Sequence, residues 1–276
     1  MSRLLLQGAS RDSYAAARET LATLVQAAST DLLELADQLF AVTEVLDREG
    51  ALRRALTNPA RSGDARAELA RAVFGERFAG AAQDLVVWAV RARWSAPRDL
   101  PNALELLAVE AVVAAAEKAG RLDALEDELF RVGRIVAGNP DLRTALADRS
   151  APVEQRTALL QDLLAGKVTD ETLRLVRQAV AAPRGRHFDR TIDMYGEVAA
   201  ERRSRRVALV AAAVPLTEEQ RERLTAALQQ LYGHEVHLNV EIDPDLIGGV
   251  RVELGDEVID GSILTRLHEA RRRLIR

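Results

Sequence analysis

The spacing of apolar residues constrains the fold of this chain most, because that spacing changes once along the sequence. Over residues 12–182, apolar side chains recur at the i, i+3, i+4 and i+7 intervals of amphipathic helices. A segment rich in helix breakers follows at residues 183–186, and one more helix is predicted over about residues 188–203. Beyond it the patterns become those of short strands separated by one helix. The sequence therefore predicts a mainly α chain that ends in a small α/β domain.

The helical part contains an internal repeat with an offset of 90 residues and no gap. The box Leu-Arg-x-Ala-Leu occurs at residues 52–56 and again at residues 142–146. Other aligned pairs are Leu32/Leu122, Leu35/Leu125, Asp37/Asp127, Leu39/Leu129, Phe40/Phe130, Val42/Val132, Arg66/Arg156, Leu69/Leu159, Leu85/Leu175 and Ala89/Ala179. We therefore predict tandem helical bundles produced by duplication. The predicted domains are a first bundle over residues 1–102, a second over 103–185, a connector helix over 186–204 and an α/β domain over 205–276.

The last quarter of the chain predicts a βαββ-type domain with a terminal helix. A buried strand over residues 206–214 is closed by Pro215. Thr217 is the predicted N-cap of the next helix and Gln220 its capping-box partner. Strands are predicted over residues 234–242, 250–254 and 257–260, and the last helix begins at Ser262.

Residues 246–267 carry a dense set of short motifs: Gly-Gly before an alternating strand, Gly-Asp at a turn, and Val-Ile-Asp-Gly-Ser leading into a helix. The motif residues are Gly248, Gly249, Gly255, Asp256, Asp260, Gly261 and Ser262. Glycines, turn acids and capping hydroxyls of this kind are folding devices, so we predict a structural role for them. The segment resembles the signature of the delta subunit family of bacterial F-type ATP synthases, called oligomycin-sensitivity-conferring protein in mitochondria.

The resemblance extends from about residue 103 to the C-terminus. The second bundle stands where members of the family have their helical domain, and the first hundred residues are an addition. The resemblance implies a non-catalytic peripheral-stalk subunit that resists rotor torque during proton-driven ATP synthesis. Its implied partners are the alpha subunits of the catalytic head, with the beta subunits as a further candidate, and the membrane-anchored b subunits. The implied location is the cytoplasmic face of the cell membrane, reached only through partners.

The same resemblance implies that partner helices bind in a groove between the first and fifth helices of a bundle. In the first bundle the candidate residues are Tyr14, Ala17, Leu21, Leu85, Trp88 and Ala89. In the second bundle they are Val109, Val113, Leu175, Gln178 and Ala179. The apolar members of both sets also suit an ordinary bundle core, and this second explanation stays open.

The sequence offers no catalytic, metal-binding or cofactor-binding motif, so we predict none of these sites. The chain has no cysteine, which excludes thiolate chemistry. His234 and His237 lie three residues apart on a predicted strand, and such a spacing places them on opposite faces. Gly248 and Gly249 lack the following Lys-Ser/Thr of a phosphate-binding loop.

An alternative function belongs to another class: a non-catalytic helical adaptor that associates with RNA. The arginines of residues 202–206 favour it, but no aromatic platform accompanies them and the net charge is −4. A solvated junction or a contact with an acidic partner explains these arginines better. We therefore predict no nucleic-acid partner.

Overall fold

A computed structural model describes residues 6–27, 30–75, 78, 80–204, 207–232, 236–243, 246, 248–254 and 257–260. The chain divides into two compact units, Met1–Ala199 and Ala200–Arg276. The described part of the first unit is helical, and that of the second contains a four-stranded sheet. This confirms the prediction of a mainly α chain with a small α/β end.

The helices that precede the sheet are α1 (Ala9–Gln26), α2 (Leu32–Arg48), α3 (Gly50–Thr57), α4 (Gly63–Phe74), α5 (Ala81–Arg91), α6 (Asp99–Lys118), α7 (Leu122–Gly138), α8 (Pro140–Ala147), α9 (Val153–Leu164), α10 (Asp170–Ala181) and α11 (Phe188–Ser204).

The offset of 90 residues also appears in the helix boundaries. Helices α7, α8 and α9 begin and end 90 residues after α2, α3 and α4, and α10 ends 90 residues after α5. We call α1–α5 repeat 1 and α6–α10 repeat 2. Both repeats lie in one compact unit with a continuous apolar core. The boundaries of the four predicted domains therefore stay predictions.

Local hydrogen bonds explain where several helices begin. The Asp31 carboxylate accepts hydrogen bonds from two backbone N–H groups of the first turn of α2. Ser62 and Thr169 cap α4 and α10 in the same way, each through its hydroxyl oxygen. These side chains satisfy N–H groups that have no partner within the helix. Asn58 and Asp148, 90 residues apart, each accept a hydrogen bond from the N–H two residues later and turn the chain after α3 and α8.

Helix α6 lies at the centre of the helical unit. Fifteen of its 20 residues are buried, including Glu105 and Glu110. The helices α1, α2 and α10 pack against it, and α2 runs along it. Its many alanines allow these neighbours to approach closely. A helix that is apolar on all sides belongs in a protein interior, and α6 holds the two repeats together in this way.

The α/β unit contains β1 (Val207–Ala212), α12 (Glu218–Tyr232), β2 (His237–Ile242), β3 (Val250–Leu254) and β4 (Glu257–Asp260). The strand order is β2-β1-β3-β4, with β1 parallel to β2 and the other two pairs antiparallel. Val210 on β1 is paired with both Val240 and Val252, and the buried face of the sheet packs on Leu228 of α12. These are the four strands and the helix predicted from the sequence, in the predicted order.

Two details at the ends of these elements match the sequence. Thr217 and Gln220 form the predicted capping box: the Thr217 N–H donates to Gln220 Oε1 at 2.9 Å, and the Gln220 N–H donates to Thr217 Oγ1 at 3.3 Å. Gly249 has a φ of 83°, which glycine adopts readily at this entry into β3. Residues Gly255, Asp256, Gly261 and Ser262, and the helix predicted after them, lie outside the described residues.

Candidate partner-binding surfaces

The candidate residues of repeat 1 lie where α1 packs on α5 and α6. Five of the six are buried, and Trp88 is half-buried. The buried ones are Tyr14, Ala17, Leu21, Leu85 and Ala89. The contact of α1 with α5 and α6 is therefore part of the core. Of the six candidate residues, Trp88 is the one that reaches the surface.

Polar contacts hold α1 in place against α6. The Tyr14 hydroxyl donates a hydrogen bond to Glu110 at 2.5 Å, and Arg18 Nε lies 2.7 Å from the same carboxylate. Near the start of α1, the Ser10 hydroxyl donates to Asp99 at 2.7 Å. Ser13 donates to the carbonyl oxygen of Arg93, just after α5, also at 2.7 Å. These bonds fix the position of α1 relative to α6 and to the end of α5.

The equivalent face of repeat 2, between α6 and α10, is covered by repeat 1. Its candidate residues Val109, Val113, Leu175 and Ala179 are buried, and Gln178 is half-buried. On α6 the cover comes from α2, which runs along it, and from α1, whose Tyr14 and Arg18 contact Glu110. On α10 it comes from α2, whose Asp37 forms an ion pair with Arg174.

The corresponding positions of repeat 1 differ in exposure. Thr20, the counterpart of Glu110, is half-buried, and Asp84, the counterpart of Arg174, is exposed. At these positions the described part of the chain covers the face more fully in repeat 2 than in repeat 1, while Trp88 and its counterpart Gln178 are both half-buried. Sequence reasoning treated the two faces alike, because the contacts between repeats arise from tertiary packing.

A polar cleft of about 770 Å³ lies between α2 and the pair α9 and α10. Gln178 borders it, together with Leu33 and Phe40 of α2. The ion pair between Asp37 and Arg174 also borders this cleft. The cleft follows the contact between the repeats and is more polar than the surfaces described next.

A second groove, of about 670 Å³, lies between α7, α8 and α9 of repeat 2. Its lining is mostly apolar and includes Val132, Ile135, Leu142, Leu163, Leu164 and Val168. Sequence reasoning missed this groove. Its signal was the presence of Ile135 and Leu163 outside the main apolar stripes of α7 and α9.

The α/β unit also exposes apolar side chains. Leu209 on β1 and Val258 on β4 are both exposed, and Glu253 on β3 is paired in register with each of them. All three side chains therefore lie on one face of the sheet, opposite to the face that carries the core residues Ala208 and Val210.

In the described part of the chain, the buried residues Glu105, Glu110, Glu128 and Glu171 are all engaged by neighbouring groups. Glu128 accepts hydrogen bonds from Thr169 and Thr172, and these bonds fix the start of α10 against α7. Glu171 pairs with Arg121, whose pKa is raised by the hydrogen bond to Glu171 and by its charge. Among the described residues, no three His, Cys, Asp or Glu side chains are grouped as a metal site would require. No described helix is both long and apolar enough to span a bilayer.

The sequence profile of the ATP synthase delta (OSCP) subunit family matches residues 109–274, which is more than half of the chain. The chain belongs to this family. A protein from Streptomyces avermitilis named "ATP synthase subunit delta" is 53% identical over 267 residues, which cover 97% of this chain and 98% of that protein. Proteins of the same name from Kineococcus radiotolerans and Thermobifida fusca are 51% and 45% identical. The two alignments cover 99% and 98% of this chain, and each covers 99% of the relative's length.

The extent of these matches confirms the resemblance read from the sequence. The family profile begins within α6 and includes the rest of repeat 2, whereas α1–α5 precede it. The relatives, in contrast, align over nearly their whole length, so repeat 1 has a counterpart in them. Among solved structures, a chain of the Toxoplasma gondii mitochondrial ATP synthase hexamer matches 61% of this chain with 95% of its own length. The two chains are 20% identical, and the TM-score is 0.33.

Proposed function

We propose that this family member is the peripheral-stalk subunit of an F-type ATP synthase. In this role it links the alpha subunits of the catalytic head to the membrane-anchored b subunits. It resists the torque of the rotor while protons drive ATP synthesis, and it carries no catalytic step itself. It acts at the cytoplasmic face of the cell membrane and reaches that face through its partners.

The observation that carries this proposal is the family match over residues 109–274 together with near full-length relatives named ATP synthase subunit delta. A static link between two assemblies needs two distinct adhesive units and no reactive site. The chain has two compact units of different architecture. The alternative, an RNA-associated adaptor, receives no support from these comparisons.

The test is to delete the gene and measure ATP synthesis driven by a proton gradient in inverted membrane vesicles. We expect ATP synthesis to fail, and the catalytic head to dissociate from washed membranes, until the purified chain is added back. Coupled synthesis at the normal rate in vesicles that lack the chain would overturn the proposal.

Within this proposal, the accessible face between α1 and α5 is the site for a helix of the catalytic head. Repeat 1 carries this role because its Asp84 is exposed beside the aromatic Trp88, whereas the counterpart Arg174 of repeat 2 is half-buried and paired with Asp37 of α2. An amphipathic helix can place an apolar side chain against the half-buried indole of Trp88.

The α/β unit is the site for the b subunits in the same proposal. Its exposed Leu209 and Val258 provide apolar surface on one face of the sheet, with Glu253 between them. Exposed apolar side chains that adjoin a polar group are typical of protein–protein contacts.

A further inference from the structure

The groove between α7, α8 and α9, which we call the α7–α9 groove, lies beside a concentration of exposed apolar side chains. Among the described residues of the helical unit, five large apolar side chains are exposed, and four of them are on α7 or α9. They are Phe130, Ile135, Leu159 and Leu163, and the fifth is Val73 on α4. Ile135 and Leu163, 51% and 42% exposed, line the groove itself.

The internal repeat provides a comparison within the same molecule. Phe130 is 69% exposed, whereas its counterpart Phe40 is only 6% exposed and lies in the cleft that faces α10. Ile135 is also more exposed than its counterpart Val45, which is partly buried. Repeat 2 thus covers part of repeat 1. Along the chain, repeat 2 is itself followed by α11 and the strands of the α/β unit, and not by another helical repeat.

The charges beside the groove also differ between the repeats. Arg131 and Lys167 line the groove, and Arg134 is exposed one turn from Arg131 on α7. The positions in repeat 1 that correspond to Arg131 and Arg134 are Ala41 and Glu44, so the positive charge on this helix belongs to repeat 2.

Two acids also line the groove, against the three cations in and beside it. The carboxylate of Glu128 is engaged by hydrogen bonds from Thr169 and Thr172. Asp141 lies in the first turn of α8, where the helix dipole favours a negative charge.

We propose that the α7–α9 groove binds an amphipathic helix of another subunit of the ATP synthase. The apolar face of that helix covers Ile135 and Leu163, and its acidic side chains meet Arg131, Arg134 and Lys167. This inference rests on the proposed function, because it takes the occupant from the same complex. The site differs from the face between α1 and α5, since it lies on other helices and in the other repeat.

The chain has no cysteine, so accessibility at one position can be measured by thiol labelling. The variants Leu163→Cys and Val73→Cys form a matched pair, because the two residues occupy equivalent positions and are 42% and 39% exposed. Each is labelled with a maleimide in the isolated subunit and in the purified complex. We expect labelling of L163C to be slowed about tenfold or more in the complex, and labelling of V73C to be unchanged.

The result separates this inference from the proposed function. If the subunit co-purifies with the catalytic head but L163C is labelled equally fast in both states, only the groove assignment is wrong. If the subunit does not co-purify, the proposed function is wrong. Equal slowing of L163C and V73C would also overturn the groove assignment, because the protection from labelling would then not be specific to the groove.

The chemistry of the occupant is tested by cross-linking L163C within the complex and sequencing the attached peptide. We expect a peptide with apolar residues at helical spacing and acidic flanks. The charge reversal Arg131→Glu should restore labelling of L163C, whereas Arg71→Glu, at an exposed arginine of α4, should not. A cross-linked segment without acidic residues would overturn the inference. So would protection of L163C by lipid vesicles in the absence of the other subunits.

Discussion

Glu105 on α6 and Arg184, between α10 and α11, form a buried ion pair at the contact between the two repeats. The same carboxylate pairs with Arg186 and accepts a hydrogen bond of 3.1 Å from the Tyr195 hydroxyl. Arg184 also pairs with Asp47 at the end of α2. Burial lowers the pKa of Arg184, but the two carboxylates more than offset this effect and raise it. One carboxylate thus connects α6 with α11 and with the loop that precedes it.

Arg184 adopts an unusual backbone conformation that the cluster explains. Its φ is 52°, the only positive φ of a non-glycine residue in the described part of the chain. This left-handed conformation costs about 1 kcal/mol or more for a residue with a side chain. The ion pairs with Glu105 and Asp47 offset that cost, because they require the guanidinium at this place.

Removal of the Glu105 carboxylate should destabilise the whole helical unit. In Glu105→Gln, the buried guanidinium groups of Arg184 and Arg186 lose their main counter-charge. We expect a loss of about 3–5 kcal/mol in the free energy of unfolding, measured by urea titration. The control is Glu44→Gln, which removes an exposed ion pair with Arg48 and should cost about 0.5 kcal/mol or less. Similar losses in both variants would contradict a special role for the buried cluster.

The environment of Tyr195 should make the chain sensitive to alkaline pH. Burial, and then the charge of Glu105, raise the pKa of Tyr195 well above its ordinary value of 10.0. The folded chain therefore keeps the phenol proton at pH values where the unfolded chain loses it. This contribution to stability is complete below pH 10 and is lost as the pH rises toward the pKa of the folded state.

We expect the free energy of unfolding to fall above about pH 10, by up to about 1.4 kcal/mol per pH unit for this group. Urea titrations between about pH 8 and 11 check the slope. In Tyr195→Phe the slope should be shallower, while the value at neutral pH drops through loss of the hydrogen bond to Glu105. A variant with the slope of the natural chain would show that other groups cause the alkaline loss.

The periodicity of the sequence predicted the helices, the sheet and the repeat, because local patterns determine which residues share a face. The capping box of Thr217 and Gln220 is a local signal of the same kind. The helices that cover α6 could not be predicted, since the packing of α1, α2 and α10 around it depends on contacts between distant parts of the chain. For the same reason, the sequence alone did not distinguish the covered Val109 from a residue at an accessible groove.

The ion pairs between the repeats were also beyond sequence reasoning. Asp47 and Arg184 are 137 residues apart, and their contact follows from the packing of repeat 2 on α2. The α7–α9 groove escaped prediction because exposed apolar residues such as Ile135 are common on protein surfaces. Only the fold shows that several of them lie together.

Trp88 should be the most sensitive of the candidate residues for binding of the catalytic head. Truncation to alanine removes an accessible aromatic surface of the kind that often dominates protein interfaces. We expect Trp88→Ala to weaken binding of the purified head by about tenfold or more, measured by surface plasmon resonance. The equivalent variant of repeat 2, Gln178→Ala, should leave binding unchanged, because α2 lies beside that position. A stronger effect of Gln178→Ala would assign the head to repeat 2.

The exposed face of the sheet should determine binding of the b subunits. Leu209→Asp places a charge on this face without altering the buried side of the sheet, where Ala208 and Val210 lie. We expect this variant to lose binding of the soluble part of the b subunits while it still binds the catalytic head. Leu231→Asp, at another exposed leucine of the unit, is the matched control on α12. Loss of b binding in the control alone would place the contact on the helix.

Removal of repeat 1 should unfold repeat 2, although the family profile lies wholly outside repeat 1. A chain that begins at Asp99 exposes the sides of α6 that α1 and α2 cover, where most side chains are apolar. It also leaves Arg174 without Asp37 and Arg184 without Asp47. Because buried apolar surface contributes about 25 cal/mol per Å², exposing about 400 Å² of it costs about 10 kcal/mol, which is the stability of an ordinary domain. We expect aggregation, without a cooperative thermal transition in circular dichroism.

The control for this truncation is the chain that ends at Ala199, the boundary between the two compact units. It retains all helices that surround α6 and should melt cooperatively as a soluble monomer. A soluble, cooperatively folding chain from Asp99 onward would contradict the prediction, and would mean that α6 tolerates water on the sides now covered by repeat 1. The outcome decides which of two roles repeat 1 has. Repeat 1 either supports the fold of repeat 2 or is a separable addition with its own partner.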